Sequence, residues 1–224
     1  MAPPLRTLSG ASCARKVVIL DSISPELIRH DRIPRTCYDE IVDGITRGEV
    51  PLRRSARFTD KLLQLYADGV TRQEISTLNL AEALRSFLRL WIPARHVTVL
   101  VDLPPEPEIV SQFSALRSML SQTPQRPVVM VFGPHAGEHT VYFFRESLPH
   151  GLGLIFTTDL LTDKSIPGAD YTFGQFYQAL CRREYDTLVH WPRPVLRLHL
   201  SREFPQALEH LLHIFAQALH RFHC

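Results

Sequence analysis

The sequence predicts an α+β protein of one domain, in which three N-terminal helices pack on a mostly antiparallel sheet and an extra amphipathic helix follows at the C-terminus. The stretch 71–103 combines an amphipathic helix with a valine-rich strand. Between 127 and 158 the pattern changes to short apolar runs separated by glycine and proline, which is typical of strands joined by tight turns. The predicted order of helices and strands is typical of an α+β protein.

The stretch 71–103 is the most regular part of the sequence. Thr71 and Glu74 have the spacing of a capping box, which predicts that a helix begins there. Apolar residues then recur at helical spacing as far as Trp91, and Pro93 ends the helix. Alternating valines predict a strand over 96–103, with both faces covered.

Other segments follow the same periodicity rules. Residues 1–15 are expected to be a disordered tail, and 16–224 to form the domain. The predicted elements, in chain order, are a strand at 16–21, helices at 35–47 and 55–67, a helix at 108–121, strands at 127–132, 139–146 and 152–158, an exposed loop at 161–170, a helix at 172–184, a segment at 187–200 that Pro192 and Pro194 confine to a sheet edge or an irregular entry, and a helix at 205–222.

Composition excludes several classes of protein. The chain has 224 residues, 45% of them hydrophobic, and a formal net charge of +2, which argues against a strongly basic nucleic-acid binder. Its four cysteines form no closely spaced pair, so free thiols in a reducing compartment are expected. No apolar run approaches the roughly 20 residues of a membrane span. The first twenty residues are basic without an acid, which leaves a weak transit peptide or a short tail open.

Two His-x-Ser/Thr triplets are the main enzymatic signal. His96 and Thr98 form the first, and His199 and Ser201 form the second. Each triplet puts a histidine and a hydroxyl on the same face of a strand. Such pairs resemble those of two-histidine phosphoesterases, which hold a cyclic phosphate or an RNA end between a general base and a general acid. Because the chain has eleven histidines, about one such triplet is expected by chance.

Histidines also crowd the C-terminal helix. His210 and His213 stand one turn apart, and His220, His223 and Cys224 follow. A shared metal is one interpretation, and a solvated helix face is the other. No partner at ligand spacing completes a site, and no glycine-rich phosphate loop follows a predicted strand, so no metal and no cofactor are expected.

Several segments resemble the comet-type checkpoint adaptors of the HORMA-domain family. The similar features are KVVILD at 16–21, Thr36-Cys37 at a helix start, Arg47 to Leu52 at its end, the long helix entering 97–103, Phe144-Arg145, and the aromatic segment 184–195. The resemblance covers roughly 16–200 and implies a HORMA-like fold. It also implies a non-enzymatic adaptor, found in nucleus and cytoplasm, with no nucleic-acid or membrane partner.

The resemblance further implies partners and contact residues. Such an adaptor binds a closed HORMA-domain checkpoint protein and promotes its remodelling by an AAA+ ATPase, which silences the spindle assembly checkpoint. The residues implied in partner binding are Thr46, Arg47, Arg72, Glu82, Arg85, Ser86 and Arg89, and those implied in the ATPase contact are Arg145, Glu146 and Ser147. In this sequence Glu146-Ser147 stands where the family has Pro-Lys.

Overall fold

A computed structural model describes residues 35–48, 56–67, 69–75, 79–90, 96–103, 106–122, 128–132, 151–159, 163–189, 194–201 and 204–220. Within them a single sheet lies between two layers of helices. The elements are α1 Arg35–Thr46, β1 Phe58–Thr59, β2 Leu63–Ala67, α2 Gly69–Glu74, α3 Leu80–Arg89, β3 His96–Asp102, α4 Pro107–Gln122, β4 Val128–Phe132, β5 Gly151–Thr158, α5 Phe173–Val189, β6 Val195–Leu200 and α6 Phe204–His220. The mixture of helices and strands is therefore confirmed.

The six strands of the described residues follow the order β1-β2-β6-β5-β3-β4. β3, β4, β5 and β6 are parallel, and antiparallel pairing is confined to β1–β2 and β2–β6. The expectation of a mostly antiparallel sheet was wrong. A helix lies between β3 and β4 and another between β5 and β6, and such crossovers return the chain in a parallel direction. β4 and β5 were expected to belong to one antiparallel run of strands, whereas each pairs with β3 in parallel.

Both faces of the sheet are covered by helices, as a parallel sheet requires. Val97, Val99 and Val101 of β3 point into the larger core, which contains side chains from α3, α4 and α6. In that core Phe113 meets the ring of Phe156 edge to face, with ring centres 4.9 Å apart. The opposite face packs on α5, and α1 packs on the outer side of α5.

A hairpin replaces the helix expected at 55–67. β1 and β2 pair around a turn in which the Asp60 carboxylate accepts the backbone N–H groups of Leu62 and Leu63 at 2.7 and 2.8 Å. The apolar residues of this segment fit both a helical and an alternating period, which made the prediction ambiguous. Pairing of β2 with β6 decides in favour of a strand.

The long helix expected from Thr71 to Trp91 is two helices. α2 ends at Glu74, and α3 begins at Leu80, where the Asn79 side chain accepts the Glu82 N–H at 2.9 Å. Thr71 does not cap a helix: it is buried in α2, and its hydroxyl accepts the Val195 N–H at 2.7 Å. The predicted capping box was therefore wrong.

The remaining predictions of helices and strands were correct in some segments and wrong in others. The helices expected at 35–47, 108–121 and 205–222 are confirmed as α1, α4 and α6, and α5 extends to Val189. Of the two alternatives for 187–200, the sheet edge was wrong, because β6 lies between β2 and β5, and both prolines precede this strand, which begins at Val195. The tail at 1–15 and the strands expected at 16–21 and 139–146 lie outside the described residues. In the described part of the chain, no helix combines the length and apolar character that crossing a bilayer requires.

Candidate functional site

A row of polar side chains crosses the carboxyl edge of the sheet. The strand register aligns Asp102 with Thr157, Thr157 with His199, and His199 with Gln64. Because aligned residues share a face, all four point toward α5. After β3 the chain continues into α4 on one face of the sheet, and after β5 it continues into α5 on the other face. This edge is therefore a topological switch point. Ligands of open α/β sheets bind at such points.

A cleft of about 260 Å³ opens beside this row. Its walls come from β2, the ends of β5 and β6, and one face of α5, including Gln64, Tyr66, Thr157, Tyr177, Cys181 and His199. The volume falls just below the roughly 300–1,000 Å³ of pockets that hold drug-sized ligands. The cleft therefore suits a small, polar molecule.

Thr157, His199 and Asp159 form a chain of polar contacts at the cleft wall. The Thr157 hydroxyl lies 3.0 Å from Nδ1 of His199. On the other side of the ring, Nε2 lies 3.5 Å from a carboxylate oxygen of Asp159. A carboxylate accepts hydrogen bonds but does not donate them, so the favoured tautomer carries its proton on Nε2 and leaves Nδ1 to accept from the hydroxyl.

Burial keeps the His199 imidazole neutral. Loss of solvent around the ring lowers the pKa of His199 below its usual value. This effect is larger than that of the Asp159 carboxylate, which raises the pKa. The nearby Arg197 guanidinium lowers the pKa further. A neutral imidazole with its Nδ1 facing a hydroxyl can accept a proton at physiological pH.

Arg197 anchors the floor of the cleft. Only 3% of the residue is exposed, and its guanidinium lies 3.9 Å from the ring centre of Tyr66 and 5.3 Å from that of Tyr185. Stacking on aromatic faces suits a buried, planar cation. The Tyr66 hydroxyl donates to the Gln64 side chain, which fixes both side chains along the cleft wall.

Asp102 lies behind the cleft, at the end of β3. Complete burial raises the pKa of its carboxyl group to about 7, although Cys181, Glu184 and Arg197 act in the opposite direction. The Tyr177 hydroxyl donates to the backbone carbonyl of Asp102 and so ties α5 to the strand. Burial also raises the pKa of the Cys181 thiol well above its usual value, so this thiol stays protonated.

The two His-x-Ser/Thr triplets do not form one site. His96 pairs with Gly151 at the amino end of β5, whereas His199 pairs with Thr157, six residues further along that strand. Six residues of strand span about 20 Å. Thr98 is buried and its hydroxyl has no hydrogen-bond partner among the described residues, while Ser201 follows the end of β6. The geometry that a two-histidine phosphoesterase requires is therefore not assembled.

The residues implied in partner binding are spread over three helices. Thr46 and Arg47 lie at the end of α1, which packs on α5, whereas Glu82, Arg85, Ser86 and Arg89 belong to α3 on the other face of the sheet. Arg72 lies on α2. Glu82 and Arg85 pair with each other at 2.6 Å. Arg145, Glu146 and Ser147 lie outside the described residues, and the adaptor function stays a prediction.

The described part of the C-terminal helix shows no metal site. His210 lies 4.0 Å from Asp60, and His213 contacts Gln217 at 2.8 Å. Among the described residues, no three histidine, cysteine or acidic side chains come together as metal ligands would. His223 and Cys224 are not among those residues.

Sequence reasoning found His199 but missed its neighbours. The predicted site residues did not include Asp102, Thr157, Asp159, Cys181 or Arg197. One signal was available: three apolar strands end in polar residues, as VTVLVD, LIFTTD and LRLHLS. Without the strand order, nothing indicated that these ends meet.

Comparison with known proteins supports the fold and leaves function open. No protein-family model matches the chain, and no curated protein matches it. Among solved structures, a match is the crystal structure of hypothetical protein TT0462 from Thermus thermophilus, with a TM-score of 0.53 and 18% sequence identity. The match covers 62% of this chain and 38% of that chain. The chain thus spans well under half the length of this relative, with which it shares a mixed α/β fold.

Proposed function

We propose that the protein is an enzyme that transfers or hydrolyses a small acyl group in the carboxyl-edge cleft. The Thr157 hydroxyl is the nucleophile and His199 is its general base. The observation that carries this proposal is the contact chain from Thr157 through His199 to Asp159 on the wall of an open cleft. A hydroxyl, an imidazole and a carboxylate in sequence form the general arrangement of an activated nucleophile.

The reaction follows from the positions of the protons. The Thr157 oxygen bonds to the carbonyl carbon of an ester or amide, and its proton passes to Nδ1 of His199, 3.0 Å away. The bond from that carbon to the leaving group breaks as the imidazolium gives its proton to that group, and water later releases the acyl group from Thr157. Lowering of the His199 pKa by burial supports this role because the ring is unprotonated before attack.

Asp159 orients the imidazole. Its side chain is 43% exposed and lies 3.5 Å from Nε2, so solvent weakens the attraction between the two groups. We therefore expect the loss of Asp159 to slow the reaction less than the loss of His199. The small cleft restricts the substrate to a short acyl compound, and the amide of Gln64 and the hydroxyl of Tyr66 offer it hydrogen bonds.

Hydrolysis of p-nitrophenyl acetate, a small activated ester, tests this proposal. Thr157→Val keeps the branched shape of the side chain without its hydroxyl, and His199→Ala removes the base. We expect each variant to release nitrophenolate about 10²- to 10⁴-fold more slowly than the unchanged protein, the range typical of general-base catalysis. Mass spectrometry should find a trapped acetyl group on Thr157.

The matched control is His213→Ala, which removes a histidine from the exposed surface of α6. It should hydrolyse the ester at the unchanged rate. Equal rates in all four proteins, or an acetyl group found away from Thr157, contradict the proposed nucleophile.

A further inference from the structure

Gln64 presents an oriented amide at the wall of the cleft. Its side chain lines the cleft, and its carbonyl oxygen accepts the hydroxyl hydrogen of Tyr66. Because that oxygen already accepts a hydrogen bond, the group that remains for a ligand is the amide N–H2, which only donates. Within the described part of the chain, this nitrogen has no hydrogen-bond partner, and it is not buried. Gln64 is therefore a donor that a molecule in the cleft can reach.

Tyr66 holds this donor in place. The tyrosine is only 9% exposed, and the Arg197 guanidinium lies 3.9 Å from its ring centre. Gln64 and Tyr66 are two residues apart on β2, so their side chains leave the same face of the sheet. The amide cannot turn without losing its bond to the tyrosine. Since its direction is set before a ligand arrives, little ordering is required on binding.

The strand order sets the distance between this donor and the nucleophile. Gln64 pairs with His199, and His199 pairs with Thr157, so β6 lies between the two side chains. Neighbouring strands are about 4.8 Å apart, which separates the backbones at Gln64 and Thr157 by about 10 Å. All three side chains point toward α5. An acyl chain that starts at the Thr157 hydroxyl and crosses the His199 ring therefore arrives at Gln64.

This separation indicates which part of the substrate meets the amide. A hydrogen bond spans about 2.9 Å between its heavy atoms. With bonds of about 1.5 Å, a carbonyl oxygen on the third carbon beyond the scissile carbonyl lies about 4.5 Å from the scissile carbon. These two lengths, together with the reach of the Gln64 and Thr157 side chains, cover the distance between the strands. A neutral donor in a half-buried wall favours a neutral carbonyl over a carboxylate, which loses more solvation.

We propose that the cleft selects acyl groups with a second carbonyl, on the third carbon beyond the scissile one, and that the Gln64 amide binds this second carbonyl. The 4-oxopentanoyl group is the simplest example, and ketone, ester and amide carbonyls share the same chemistry. This assignment rests on the proposed function, because Thr157 fixes the other end of the acyl chain. Gln64 determines specificity and takes no part in proton transfer.

Binding of two acids, 4-oxopentanoate and pentanoate, tests this assignment. They are the acids released from the corresponding esters, they differ only at the fourth carbon, and neither is consumed. We expect 4-oxopentanoate to bind about 3- to 10-fold more tightly, the effect of one net hydrogen bond. In NMR spectra of ¹⁵N-labelled protein, it should shift the side-chain amide signals of Gln64, whereas pentanoate should not. Gln64→Met keeps the length of the side chain without its donor and should bind both acids equally.

The matched control is Gln178→Met, which changes the glutamine that lines the cleft from α5. It should keep the preference for 4-oxopentanoate. Equal affinities of the unchanged protein for the two acids overturn the assignment, and so does a preference that survives in Gln64→Met. If that variant does not fold, Gln64 signals that stay unmoved with 4-oxopentanoate overturn it instead.

The binding test and the ester test fail separately. A protein that prefers 4-oxopentanoate through Gln64 but hydrolyses no ester keeps the Gln64 contact and loses the proposed reaction. A protein that hydrolyses p-nitrophenyl acetate through Thr157 but binds both acids equally keeps the reaction and loses the proposed specificity.

Discussion

At the scale of single residues, buried hydrogen bonds join parts of the chain that are far apart in sequence. The Thr71 hydroxyl accepts the backbone N–H of Val195 at 2.7 Å and thereby connects α2 to the start of β6. In Thr71→Val that N–H stays buried without a partner. We expect the variant to lose about 1–3 kcal/mol of unfolding free energy, the cost typical of an unsatisfied buried donor, in urea denaturation.

Thr46→Val is the matched control for Thr71→Val. The Thr46 hydroxyl donates to the Val42 carbonyl on the exposed end of α1, where water can replace the bond. Its loss should change the unfolding free energy by at most about 0.5 kcal/mol. Equal effects of the two substitutions contradict a structural role for the bond between Thr71 and Val195.

At the scale of elements, local signals predicted helices better than they predicted where helices start. A capping box was expected at Thr71 and Glu74, but the structure has one at Thr172 and Gln175. The Thr172 hydroxyl accepts the Gln175 N–H at 3.1 Å, and the Gln175 side chain accepts the Thr172 N–H at 2.8 Å. The same four-residue pattern occurs at both places, and tertiary contacts decide which threonine caps a helix.

Removing the capping box should weaken the start of α5. Thr172→Ala is expected to lower the unfolding free energy by about 1 kcal/mol, since the threonine also donates to Asp163 at 2.6 Å. The double variant with Gln175→Ala should lose less than the sum of the single losses because the two bonds support each other. Urea denaturation of all three variants gives the comparison.

The control for these caps is Ser114→Ala, which lies within α4 where the serine hydroxyl donates to the Val110 carbonyl. Alanine favours helices more than serine does, so this change should be neutral or slightly stabilising. Strictly additive losses in the cap variants contradict a reciprocal capping box.

At the scale of the whole molecule, the sequence predicted apolar strands but not their arrangement. β3, β4 and β5 were found close to their observed ends because their residues are buried on both faces. Their neighbours depend on contacts between distant segments, such as Gly153 with Val195, which leave no local pattern. The candidate site arises from that arrangement, because register across β3, β5 and β6 brings Asp102, Thr157 and His199 into one row. The sequence therefore identified His199 as a candidate residue but did not identify the site to which it belongs.

The buried acid also makes the stability of the whole molecule depend on pH. The pKa of Asp102 is raised from 3.8 to about 7 on folding, so the folded protein binds a proton more tightly than the unfolded chain. The contribution of Asp102 to stability is largest below its unfolded pKa and declines as pH rises through about 7. A shift of about three units corresponds to a loss on the order of 4 kcal/mol. His199, whose pKa is lowered, acts in the opposite direction: its contribution is lost as pH falls below its unfolded value.

Asp102→Asn separates these two contributions because the amide stays neutral at every pH. Relative to the unchanged protein, the variant should gain stability at about pH 8 compared with about pH 5, since it no longer carries the cost of an ionised buried carboxyl. His199 is present in both proteins, so its contribution cancels in this difference. Urea denaturation at the two pH values measures it. A stability difference that is the same at both values means that Asp102 titrates alike in the folded and unfolded chain, and that its burial does not govern the pH response.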